Sequence, residues 1–233
     1  MRLLVLGASG GCGRWLVRLA ADGGHRVTAL VRDGSDAAAP AGVTVRRGDA
    51  ADAATLDAAV AAIAGDAGAD ADAADDGAAD DVAVLSCLGL RRAGKSPWAP
   101  LRSPPDLTAR VTRLLLPAMR RHGVRRVVAL SAAGVGDSLA HCSWPVRRLV
   151  AAGNVGVAYR DLAAMEAVLA AGDAAWIVAR PVTLVDGAPT GGARQVARYG
   201  LTSIIRRADV AAWMLAAAEQ PAGSAGRQVM IAS

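Results

Sequence analysis

The sequence predicts an α/β domain built on a doubly wound parallel sheet, and three features of its 233 residues predict it. The first is the opening stretch, where apolar Leu3 to Leu6 runs into the glycine-rich turn Gly7-Ala8-Ser9-Gly10-Gly11-Cys12-Gly13. The second is periodicity: Trp15, Leu16, Val17 and Leu19 begin a helical pattern, and short apolar runs then alternate with helical ones along the chain. Repeated strand–helix–strand units of this kind require parallel strands with crossover helices on both faces. The third is length, which suits one domain, 1–233, with an ample core.

Each element has its own warrant. A buried strand, a glycine turn and a helix N-terminus make a phosphate site, because the first helical N–H groups and the helix dipole face an anion. The spacing is G-x-x-G-x-x-G, not the G-x-G-x-x-G of the common dinucleotide fingerprint. The alternative is a glycine turn that holds no ligand. Gly23-Gly24 closes the first helix, and His25 to Arg32 reads as the second strand. An NAD site would carry an acidic residue there for the ribose 2′-OH. Arg32 instead suits the 2′-phosphate of NADP, with Arg14 as a second charge. A strand-end arginine facing solvent is the other reading, and Asp33 leaves it open.

Val43 to Asp49 is the third strand with its exit, before a helix from Ala51 to Ala64. Residues 65–81 are small, acidic and of low complexity, and are expected to form a mobile connection without chemistry. The fourth strand is Val82 to Gly89, whose end Leu88-Gly89 is expected to pass under a cofactor. The loop 90–105, with Arg91, Arg92, Lys95 and Trp98, reads equally as a substrate lid or a surface loop. A helix spans Asp106 to His122, with Pro117 a candidate bend, and Val124 to Ser131 is the fifth strand. Residues 138–171 carry His141, Trp144 and Tyr159 and end in a helix from Asp161. Ala174 to Arg180 is the sixth strand, Gln195 to Arg198 and Leu201 to Ile205 are short strands, a helix starts at Arg207, and Gln228 to Ile231 closes the sheet. Segments 138–171 and 182–206 form a small substrate-side region.

Composition excludes several classes. The formal charge is +5, but the arginines are scattered in pairs without interleaved aromatics, so no nucleic-acid surface is expected. Most are read as solvated helix ends and loop residues. Cys12, Cys87 and Cys142 lie far apart without C-x-x-C spacing, against a disulfide framework and against a metal site. Cys12 at a helix start is either a favoured thiolate or a small filler in the turn. No uncharged apolar run approaches the ~18 residues of a membrane span. The chain opens on a core strand without a signal peptide, and a cytoplasmic protein is expected.

Gly7/Gly10/Gly13, Leu30-Val31-Arg32-Asp33, Gly48-Asp49, His122-Gly123-Val124 into Val127 to Ser131, Arg180-Pro181 and Asp209-Val210-Ala211 stand in register. In these the chain resembles the NAD(P)H-binding atypical short-chain dehydrogenase/reductases, including the NmrA-like proteins and the biliverdin reductase B/flavin reductase group. The resemblance implies a Rossmann fold and a cofactor held by Gly7, Ala8, Ser9, Gly10, Gly11, Cys12, Gly13, Arg32, Asp49, Ala50, Leu88, Gly89, Ser131, Pro181 and Val182. It implies that Asp49 faces the adenine amino group, and that Pro181 to Thr183 line the nicotinamide pocket mainly through backbone. A turn or cap role before the next helix is the alternative for Asp49.

Orthodox members pair a catalytic Tyr with a Lys four residues on, and the lysine helps the tyrosine to pass a proton. Here Tyr159 is followed by Ala163, and Lys95 is the only lysine. The family's serine position is taken by Ala132, with Ser131 one residue earlier. The histidine that flavin-reductase relatives carry in the helix before the sixth strand is replaced by Glu166, a candidate partner of Arg180. Tyr159, His141 and Ser131 remain as proton donors, against readings as a packed helix-start aromatic, an exposed loop residue and a strand-end hydroxyl bonding backbone. The expectation is NADP(H)-dependent hydride transfer to a conjugated small molecule (flavin, quinone or bilin-like), where orientation supplies most of the effect. The alternatives are a non-catalytic redox sensor that reports to a protein partner, and an epimerase or tailoring enzyme.

Overall fold

Alternation along the first strand, β1 (Arg2–Leu6), splits the core in two. Leu3 and Val5 point into one apolar cluster and Leu4 and Leu6 into another, all fully buried, so both sheet faces must be covered by helices. The computed structural model describes residues 1–35, 40–65, 81–94, 96, 98–141, 144, 147–148, 153–200, 202–220 and 226–233. The acidic segment, apart from Gly65 and Asp81, lies outside them, as do Lys95, Pro97 and Cys142.

The chain continues through α1 (Gly11–Asp22), β2 (Arg26–Val31), β3 (Thr44–Arg47), α2 (Ala53–Gly65), β4 (Val82–Ser86), α3 (Leu107–Arg121) and β5 (Arg126–Leu130). After a 3₁₀ turn at Gly136–His141 come α4 (Val155–Ala171), β6 (Ala175–Pro181), β7 (Thr183–Val185), β8 (Arg194–Gln195), β9 (Ile204–Arg206), α5 (Arg207–Glu219) and β10 (Arg227–Ala232). The main sheet has the order β3-β2-β1-β4-β5-β6-β10-β8. Its pairs are parallel except β10–β8, while β7 and β9 pair separately. The order reverses between β1 and β4. In open α/β sheets the crevice above such a switch point is where ligands bind.

The doubly wound parallel sheet stands as expected, with an antiparallel two-residue strand, β8, added at its edge. Several expectations are corrected. The short strands are shorter and displaced from 195–198 and 201–205, because they follow partners in β10 and β7 rather than a pattern of their own. Helix α2 starts at Ala53, since Asp52 accepts from Thr55 N at 2.8 Å and Thr55 Oγ1 at 2.6 Å and so caps it. Helix α4 starts at Val155, which places Tyr159 inside it rather than at its head. Helix α3 runs through Pro117 to Arg121. Among the described residues Arg2, Arg126 and Arg180 are buried rather than solvated. Arg2 and Arg126, at strand starts, donate to Ala64 O near the end of α2 and to Ala218 O near the end of α5, satisfying last-turn carbonyls.

Long-range capping holds the α3/α4 pair. Thr108 N and Ala109 N, in the first turn of α3, donate to the buried Asp161 carboxylate of α4 at 2.9 and 3.0 Å. Among the described residues, no helix is long and apolar enough to cross a membrane, and no cluster of potential metal ligands occurs.

Candidate functional site

A cleft of about 840 Å³ opens above the switch point. Its floor is the β1–α1 turn, through Gly7, Ser9, Gly10 and Gly11. One side comes from the exits of β2 (Arg32, Gly34, Ser35) and β3 (Gly48 to Asp52). The other comes from the exit of β4 (Cys87 to Gly89), the following loop (Arg91, Arg102, Ser103, Pro104) and α3 (Leu107, Arg110).

The turn cannot be built from other residues. Gly7 has φ +73°, and a Cβ on it would stand 2.8 Å from Cys87 O. A Cβ on Gly13 would stand 2.2 Å from Gly7 O and 2.9 Å from Ala8 Cα. Gly10 N donates to Gly7 O at 2.9 Å and closes the turn. Gly10 is also the N-cap of α1, has no side chain to satisfy the first helical N–H groups, and no acidic residue stands in the first turn. These free donors and the dipole fit a pyrophosphate. Ala8, Cys12 and Gly13 are buried beneath the turn rather than in the cleft. They shape the cradle from below. Cys12 is a filler: burial pushes its thiol up to about 11, against the pull of Arg207, with Asp186 adding to the rise.

Arg32 is exposed, lines the cleft and has no ion pair among the described residues. Arg14 is exposed and does not line it. Asp49 lines the cleft while its Oδ1 accepts from Ala51 N at 2.9 Å, so the side chain organises the turn and still presents a carboxylate. Ala50, Leu88 and Gly89 line it as expected from their strand exits.

The remaining candidates do not line this cleft. Ser131, just past β5, is buried and donates to Glu166 Oε1 at 2.6 Å, a side-chain partner where one of its two readings from sequence gave a backbone one. Glu166 is held by Arg180 through Nε at 3.0 Å and Nη2 at 2.5 Å, the pairing considered from sequence. Arg180 also donates from Nη1 to Asp137 Oδ1 at 2.7 Å. Burial opposes the Arg180 charge, but bonds to Glu166 and Asp137 outweigh it and raise its pKa. The bond from Arg180 is the chief reason that Asp137 lies below the ordinary carboxylate value. With its proton engaged by the Glu166 carboxylate, the Ser131 hydroxyl has only its oxygen lone pairs to offer another group.

Pro181 and Val182 are buried, with Pro181 O accepting from Ala133 N at 2.9 Å and Val182 N donating to Ile231 O at 3.1 Å. Their backbone groups join β5, β6 and β10. Tyr159 Oη donates to Ala133 O at 3.1 Å, and His141 is exposed at the end of the 3₁₀ turn. Tyr199, which no sequence pattern singles out, meets Tyr159 over Gly134: a Cβ there would stand 2.5 Å from Tyr199 Oη and 2.9 Å from a Tyr159 ring carbon. Only the chain's tyrosine count, two, gave any hint of it. Also missed were the arginines of α3 and of the loop end, Arg110 and Arg102, which no motif marks.

Sheet order, switch-point cleft and glycine cradle define a dinucleotide-binding α/β protein. The family model described as NAD(P)H-binding matches residues 7–221, and the chain belongs to that family. Among solved structures, ChuY, an anaerobillin reductase from Escherichia coli O157:H7, is 27% identical over 99% of this chain and 96% of its own, with a TM-score of 0.73. ChuY from E. coli strain CFT073 is 25% identical over the same shares, with a TM-score of 0.69. A Bacillus halodurans protein, provisionally named an NAD-dependent epimerase/dehydratase, shares the fold at 18% identity, 100% and 94% coverage and a TM-score of 0.69. No curated protein matches the sequence significantly.

Proposed function

We propose that this chain is an NADPH-dependent reductase that delivers hydride to a conjugated small molecule of the flavin, quinone or bilin class. The observation that carries the cofactor half is Arg32, a guanidinium without an ion pair among the described residues, at the exit of β2 beside Gly34 and Ser35. That is the place where a carboxylate would select NAD, and a guanidinium there suits a 2′-phosphate. The acceptor half is supported by the likeness to ChuY, whose name as an anaerobillin reductase places a bilin-type acceptor on a similar chain.

In this reading the first turn of α1 and the turn Gly7–Gly13 bind the pyrophosphate, and Asp49 and Ala50 receive the adenine. Leu88 and Gly89 let the cofactor pass close to β4. When bound, the reduced nicotinamide supplies a hydride, one proton with two electrons, and the accompanying proton comes from solvent or from a loosely placed acid. The protein's part is to position the two rings. An electron-poor conjugated acceptor needs no strong general acid, which fits a chain whose Tyr159 lacks a lysine partner at Ala163. Tyr159 and His141 are the residual candidates to deliver the proton. Ser131 is assigned to holding the end of β5.

A second reading, a redox sensor that binds NADP(H) and reports to a protein partner, is favoured by one observation. The buried Ser131–Glu166–Arg180 chain ties up the hydroxyl beside Ala132, the residue that takes the place of the family's serine.

Arg32→Ala tests the cofactor assignment by fluorescence titration. NADPH binding is expected to weaken by ~1.5–3 kcal/mol for the lost charge-assisted contact, with little change for NADH. Equal losses for both would overturn the 2′-phosphate assignment.

A further inference from the structure

Besides Arg32, three guanidiniums line the cleft: Arg110 donates to Ala51 O at 3.4 Å, which leaves Arg91 and Arg102 without a task. Arg91 and Arg102 stand opposite each other at the neck of an antiparallel excursion after β4. Arg102 N donates to Arg91 O at 2.7 Å, Ala93 N to Pro100 O at 2.8 Å, and Arg92 bridges Leu101. Arg91 N also donates to the buried Ser103 Oγ at 2.8 Å, so the neck is pinned. Directly opposed like charges destabilise a strand pair. Neither guanidinium has an ion pair among the described residues to relieve the repulsion. The cleft's two carboxylates are engaged elsewhere, Asp49 with Ala51 N and Asp52 with Thr55. An anion between the two arginines would relieve the repulsion and accept charge-assisted bonds from both.

The position separates this pair from Arg32. The excursion leaves β4, on the opposite side of β1 from β2. Its tip is tied to the head of α4, where Asn154 Nδ2 donates to Trp98 O at 3.1 Å and Ala99 O at 3.0 Å, and Tyr159 follows on that helix. The neck therefore connects the cofactor cleft with the segment where an acceptor would enter.

We propose that Arg91 and Arg102 form a second anion subsite, which takes an acidic substituent of the hydride acceptor, a carboxylate or phosphate. This rests on the reductase reading and narrows it: the substrate is an anionic conjugated molecule rather than a neutral one.

The test is binding to the NADP⁺-loaded protein of two acceptor pairs that differ in charge, biliverdin with its dimethyl ester and FMN with riboflavin. The acidic member of at least one pair is expected to bind at least ~10-fold more tightly, and Arg91→Gln/Arg102→Gln is expected to remove that preference. Titrating the same variant with NADPH and NADH separates the other source of anion. Unchanged affinities for both support the proposal and show that the cleft is intact, whereas a loss of NADPH alone assigns the pair to the cofactor's 2′-phosphate, a parallel loss of both assigns it to the shared part of the cofactor, and either overturns it. Failure of all four acceptors to bind, no preference for the acidic member, or a preference that survives the double substitution also overturns it. NADPH oxidation with the same acceptors is read separately, so a bound anion that is never reduced refutes the reductase reading and leaves the subsite standing.

Discussion

Gly13→Ala should abolish tight cofactor binding while leaving most of the protein folded. A Cβ there would lie 2.2 Å from Gly7 O, where real Cβ atoms essentially never come within 3.0 Å. The obstacle is backbone, so no rotamer change relieves it. Either Gly7 O retreats by nearly an ångström or the first turn of α1 moves outward. Gly7 O is also the acceptor for Gly10 N at 2.9 Å, so both responses re-aim the N–H groups that face the pyrophosphate. Overpacking of this kind costs about 1–3 kcal/mol of stability. For a chain of this length that corresponds to a fall in Tm of roughly 2–4 °C per kcal/mol. Loss of the aligned donors should raise the Kd for NADPH about 100-fold or more, near 2.7 kcal/mol. Gly89→Ala is the companion: nothing lies within 4 Å of its added Cβ, so Tm should hold while binding suffers from a methyl group placed beneath the cofactor. Thermal melts with fluorescence titrations of NADPH check both. A folded Gly13→Ala protein that binds NADPH like the wild type would refute the cradle.

Glu166→Ala should destabilise by about 3–5 kcal/mol, because among the described residues it leaves the buried Arg180 charge with only the exposed Asp137 as an ion-pair partner; denaturant melts would read it. Asp209, fully buried, holds the 190–191 turn by accepting from Thr190 N, Thr190 Oγ1 and Gly191 N. Burial pulls its pKa up, but these bonds, with Arg206 nearby, outweigh it and leave the pKa lowered. Its stabilisation is therefore complete above the unfolded carboxylate value of about 3.9 and lost as pH falls through the lower folded value. Asp209→Asn should flatten the acid side of the stability–pH profile. Cys12, with a thiol pushed up to about 11, should stay unmodified by iodoacetamide at neutral pH in the folded protein and react on unfolding, as peptide mapping would show.

The fold was legible because its signals are local. The apolar run before Gly7, the glycine spacing and the alternation of runs each depend on a few neighbouring residues, and they mark out the strands and helices seen from β1 to β6. The lining of the cleft was legible for the same reason, since strand exits carry their residues into the crevice. The illegible features depend on contacts distant in sequence. Asp161 caps a helix more than fifty positions earlier, Tyr199 reaches Gly134 from another segment, and Ser131 finds Glu166 thirty-five positions on. Arg102 and Arg110 line the cleft only because the excursion and α3 close over it. The three catalytic candidates suffered most, since a hydroxyl or imidazole is a donor or a prop according to what it touches.

The most direct test of NADPH-dependent reduction measures the loss of reduced-nicotinamide absorbance with the purified protein, NADPH or NADH, and a panel of bilin, flavin and quinone acceptors. Turnover with at least one conjugated acceptor and a clear preference for NADPH over NADH are predicted. Tight NADPH binding with no turnover on any acceptor would contradict the reductase assignment and leave the redox-sensor reading in its place.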